Sequence, residues 1–116
     1  GKTYVLNEDM YITGKDWASS SNTSAYLIQR GANVTIDLKG HTLTGGISKK
    51  NSNSEFRAFC VLDDYSSLTI VSTDEDGNPT PNKGNITDSG YSLDSDNDGG
   101  SFYVNSPHGS LSLTNV

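Results

Sequence analysis

A chain of 116 residues has room for one domain, so residues 1–116 are expected to form a single unit. Hydrophobic residues make up only 32%, and Gly, Ser, Thr and Asn abound, a composition that suits short strands joined by polar turns and excludes long helices. A net charge of -6, with eight scattered Lys and Arg, excludes the basic footprint of a nucleic-acid partner, and no apolar run is long enough for membrane insertion.

The opening segment KTYVLNEDMYITG, residues 2–14, offers two strand-like pieces, TYVL and MYIT. A polar loop is expected over 15–24, with Trp17 in it covering the N-terminal end of the core. From there a pattern recurs. NVTIDL (33–38), SLTIVS (67–72) and SLSLTN (110–115) share one alternation, and their anchors Val34, Leu68 and Leu111 stand 34 and 43 residues apart. The unequal intervals imply loops of different length inserted into a common unit. Period-two alternation turns Val34, Ile36 and Leu38 inward, with Leu68 and Ile70, and Leu111 and Leu113, in matching positions.

A second strand is expected ahead of each anchor. Nine residues before stand Ala25, Phe59 and Phe102, and seven before stand Leu27, Val61 and Val104. These pairs are expected to face inward, which leaves Tyr26, Cys60 and Tyr103 as one outward column. Cys60 is the only cysteine, so no intramolecular disulfide can form, and it reads as a small buried hydrophobe. A third strand follows in HTLTG (41–45) and GNITDSG (84–90), each reached through a glycine.

Three short strands per unit, with turns between them, wind a chain around a slender core. The expected fold is therefore all-β, a parallel β-helix of about three to four rungs. Irregular loops are expected at 15–24, 45–55, 73–83 and 89–100. The strand SLSLTNV stops at Val116 in mid-rung, so the chain is expected to be the N-terminal part or a fragment of a longer solenoid, or to self-associate through an open end.

Candidate chemistry is sparse along this scaffold. No catalytic residue is expected. On the VTIDL sheet the outward column beside Thr35, Thr69 and Ser112 runs Asp37, Val71, Thr114, with a single carboxylate. Asp63 and Asp64 are adjacent, so in a strand they would point to opposite faces, and they read as a turn before Ser66. His41 follows Gly40 at a corner and His108 lies in the turn SPHGS; both read as structural. The candidate metal ligands are Asp94, Asp96 and Asp98 in DSDNDGG, spaced ahead of Gly99 as in a D-x-D-x-D-G calcium loop. The match ends halfway, since Asn105 stands where that loop has its bidentate Glu, and a solvated acidic loop is the plainer reading. Ca²⁺ is thus the one ion the pattern admits, and none is required. TDEDGN, with Asp74, Asp76 and Asn78, is a shorter version of the same pattern. The candidate carbohydrate-binding residues are Tyr26 and Tyr103, whose rings would stack on sugars from their outward column.

Taken together, YVLNEDMYIT, VTIDLKGHTLTG, SSLTIVST, GNITDSG and GGSFYVNSPHGSLSLTNV resemble the right-handed parallel β-helix, pectin-lyase-like repeat regions of large bacterial cell-surface proteins. The resemblance runs from Tyr4 to Val116. It implies a right-handed coil and an extracellular, secreted or cell-surface location. It specifies activity poorly, because such repeats serve in adhesins and in polysaccharide-degrading enzymes alike. The expected function is a non-catalytic module for adhesion, glycan binding or spacing, with glycans or surface proteins as partners. The alternative is a domain of a polysaccharide lyase or glycoside hydrolase acting on pectic or related polysaccharides.

Overall fold

The structure, a computed structural model, describes residues 1–11, 23–45, 56–62, 64–87, 90–91 and 101–116. Among these residues there is no helix; the regular structure is all strand. In chain order the strands are β1 (Lys2–Val5), β2 (Met10–Tyr11), β3 (Thr23–Ile28), β4 (Asn33–Asp37), β5 (Thr42–Thr44) and β6 (Phe56–Val61). They continue with β7 (Ser67–Val71), β8 (Asn85–Thr87), β9 (Gly90–Tyr91), β10 (Phe102–Val104) and β11 (Ser110–Leu113).

The strands form three sheets, ordered β1-β4-β7-β11, β2-β5-β8 and β3-β6-β10. Every pairing along these orders is parallel. The chain visits the three sheets in rotation, and each return lays a strand beside the one from the preceding pass. Parallel neighbours need a long crossover, and strands of the other two sheets lie within each one.

The repeating anchors hold their register. Val34 lies opposite Leu68, and Leu68 opposite Leu111, while Ile36, Ile70 and Leu113 form the next column. Leu68 and Ile70 join Leu38, Leu43, Phe59, Val61 and Ile28 in one buried core. Each such side chain contributes about 1.5–3 kcal/mol on burial, so these ladders stabilise the sheets without a disulfide. Cys60 is buried, as expected of a small apolar residue.

The neighbouring sheet corrects one expectation. Tyr26, not Ala25, lies opposite Phe59, and Ile28, not Leu27, lies opposite Val61. Ile28 is accordingly 4% exposed and Leu27 53%. The cause is the corner: Gln29 to Ala32 join β3 to β4, one residue fewer than Leu62 to Ser66 or Asn105 to Gly109 in the later passes. A slip of one residue exchanges the two faces of a strand. Tyr26 therefore heads an inner stack, with ring centroids 5.3 Å from Phe59, which in turn stacks on Phe102 at 5.3 Å. A second departure is β9, which runs antiparallel to β6, with Gly90 opposite Arg57.

The corners follow a common rule. Arg30 and Gly31, and Lys39 and Gly40, have positive φ, and each pair is spanned by a bond closing a four-residue turn, Ala32 N–H to Gln29 O at 3.1 Å and His41 N–H to Leu38 O at 2.8 Å. Each corner glycine then turns its amide to a serine of the next pass. Gly31 N–H donates to Ser66 Oγ at 3.0 Å and Gly40 N–H to Ser72 Oγ at 2.6 Å. Both serines are buried, so the hydroxyls satisfy amides that would otherwise lack a partner.

Extending the β4–β7 register by one residue and the β7–β11 register by two aligns Leu38, Ser72 and Asn115. The Asn115 amide donates to Ser72 O at 3.1 Å and Thr80 O at 3.2 Å. Gly84 packs on the same column, where a Cβ would lie 2.7 Å from Leu38 Cβ and 3.1 Å from Ser72 Cβ.

Candidate functional site

Asp37 ends β4 on its outward side, yet it is buried. Its Oδ1 accepts the amides of Lys39 and Thr73, both at 3.0 Å. Its Oδ2 accepts the Thr73 hydroxyl at 2.5 Å and lies 3.4 Å from Lys39 Nζ. The ammonium in turn donates to Thr73 Oγ1 at 2.8 Å and Asp74 O at 3.0 Å. Burial alone would raise the Asp37 pKa, but the Thr73 hydroxyl, the two amides and the Lys39 charge outweigh it and hold the carboxyl below the usual carboxylate range. A carboxylate so engaged is a poor proton acceptor. Its work is to bind the corner of one pass to the loop that follows β7.

That loop, residues 73–83, is built by its own acid. Asp74 Oδ1 accepts the amides of Asp76 at 2.9 Å and Asn78 at 3.0 Å, and a bridge pairs Thr73 with Pro79. Asp74 thus acts as a turn former. No group of three or more His, Cys, Asp or Glu converges among the described residues. Asp94, Asp96 and Asp98 lie outside the described residues, as do Asp63 and Trp17.

The two tyrosines expected to share an outward column are separated by the register slip. Tyr26 stacks inward on Phe59, and burial raises its hydroxyl pKa. Tyr103 lies opposite Cys60 instead, and its hydroxyl donates to Asn105 Oδ1 at 3.0 Å. The inner column that Tyr26 heads borders a cavity of about 770 Å³, lined also by Tyr4, Leu6, Met10 and Leu43.

Both histidines sit beside an aspartate from another pass. His41 Nδ1 lies 3.6 Å from Asp9 Oδ1, which also accepts the Thr42 amide at 2.9 Å. His108 Nδ1 lies 3.3 Å from Asp64 Oδ2, and its backbone amide donates to Asp64 Oδ1 at 3.2 Å. The His108 ring stacks on Tyr65, with centroids 5.1 Å apart and planes 5° from parallel. The Tyr65 amide donates back to His108 O at 3.0 Å. This exposed cluster was not a candidate in the sequence. Its signal was there to read, since Tyr65 and His108 each stand three residues before an anchor, Leu68 or Leu111.

Comparison with protein-family models, with curated proteins and with solved structures found no match to this chain.

Proposed function

We propose that the chain is a right-handed parallel β-helix module of a secreted or cell-surface bacterial protein, and that it serves adhesion, glycan binding or spacing without catalysis. The observation that carries this reading is the rotation of the chain through three parallel sheets with matched inner columns. Such a scaffold grows along one axis and displays its outward residues in ranks, which suits presentation of a surface. The engagement of Asp37 supports it further. Cleavage of a polysaccharide needs carboxylates or a base free to meet the scissile bond, and Asp37 is committed to Lys39 and Thr73. Partners in this reading are glycans or surface proteins. Incubation with pectic polysaccharides, with and without Ca²⁺, is expected to release neither unsaturated uronates nor reducing ends. Release of either product would replace this reading with the polysaccharide-degrading one.

A further inference from the structure

We infer that Tyr65 and His108, with Asp64 at their edge, form a binding platform for a neutral pyranose of a glycan chain. The inference rests on the glycan-binding form of the proposed function and assigns it a site. Tyr65 is 72% exposed, yet its φ is +62°, a conformation that bulky side chains avoid. Arg30 and Lys39 share that backbone conformation at their corners, so what sets Tyr65 apart is a large, outward aromatic ring that the core does not use.

The ring is also held in place. It stacks on His108 from the adjacent pass, and two amide hydrogen bonds, Tyr65 N–H to the His108 carbonyl and His108 N–H to the Asp64 carboxylate, lock the two corners together. Little ordering remains to be done on binding. The ring nonetheless stays open to solvent over most of its surface.

The chemistry of the rim selects the ligand. A pyranose presents an apolar C–H face framed by hydroxyls, which matches a flat ring bordered by polar atoms. Asp64 offers acceptor oxygens beside the His108 imidazole, 3.3 Å from its Nδ1. The Tyr65 phenol both donates and accepts. A carboxylate at the rim and a net charge of -6 disfavour uronates and sialylated glycans. The ligand class is therefore a neutral hexopyranoside with equatorial hydroxyls, whose faces are richest in C–H.

The test is a titration of the 116-residue chain with cellotetraose and with tetragalacturonate, followed by NMR. Cellotetraose is expected to shift the Tyr65 and His108 ring resonances and to bind at least about tenfold more tightly than the uronate. Tyr65→Ala is expected to weaken cellotetraose binding by at least about tenfold, and Tyr103→Ala to leave it within about twofold. Tyr65→Gly fits the left-handed backbone and provides a folded control that lacks the ring; it is expected to keep the unfolding midpoint and lose the sugar. Cellotetraose binding that survives Tyr65→Gly overturns the platform while leaving the glycan-binding reading intact. Preference for the uronate overturns it too. Failure of every neutral oligosaccharide on an array overturns the platform, and failure of the acidic ones as well removes glycan binding from the proposed function.

Discussion

At the scale of single residues, hydrogen bonds at the corners decide more than charge at large. Asp37 has three donors on its carboxylate and a lysine beside it. Hydrogen bonds to a charged group contribute about 1.5–3 kcal/mol, so Asp37→Asn should destabilise by an amount of that order in urea unfolding near neutral pH. The pKa of this carboxyl is lowered in the fold. Its stabilisation is therefore complete above the unfolded value of about 3.9 and is lost as pH falls through the folded value. The gap between wild type and Asp37→Asn should close below about pH 4. The corner serines act without charge: Ser66→Ala or Ser72→Ala strands a glycine amide, which should cost about 1–3 kcal/mol in the same assay. Gly84→Ala forces a methyl against Leu38 and Ser72, and the overpacking should cost about 1–3 kcal/mol, read as a lower thermal midpoint.

At the scale of elements, the sequence revealed which segments pair but not always how they are phased. NVTIDL, SLTIVS and SLSLTN announced β4, β7 and β11 because alternation and anchor spacing agree. HTLTG and GNITDSG likewise announced β5 and β8. The phase of β3 was hidden, because AYLI alternates two apolar options and only the length of the Gln29–Ala32 corner chooses between them. Burial tests the phase directly. Phe59→Ala empties the centre of the Tyr26–Phe59–Phe102 stack and should cost about 3–5 kcal/mol, whereas Leu27→Ala on the exposed side should cost under about 1 kcal/mol. The opposite ranking in denaturant unfolding would restore the phase read from the sequence. The site was less legible than the fold. Asp37 looked like an isolated acid because Thr73 reaches it from a loop, and Lys39 from a tight corner, whose paths alternation does not encode. Tyr65 and His108 looked like unrelated turn residues, because their stacking needs the β7–β11 register to bring them together.

At the scale of the whole molecule, the parallel strand pairings join residues far apart in sequence. Lys2 lies opposite Val34, Val34 opposite Leu68, and Leu68 opposite Leu111, so each pass must close a long loop before its partner strand exists. Topologies dominated by such pairings fold in roughly milliseconds to seconds. Stopped-flow refolding should fall in that range, and its rate in dilute solution should be indifferent to reductant, because a chain with one cysteine cannot form an intramolecular disulfide.

The column of Leu38, Ser72 and Asn115 has a bearing on how such a chain can be rebuilt. Along it the contents change from a hydrocarbon side chain to a hydroxyl that accepts the Gly40 amide, and then to a carboxamide that donates to Ser72 and Thr80. The passes look alike in outline but are not interchangeable parts. Placing a copy of the Leu38 pass where Ser72 stands would set an apolar branch where a hydroxyl accepts a glycine amide, and a shuffled order would strand polar groups in the interior. Recombination or design that treats these units as identical bricks must carry each corner's serine and its glycine across together.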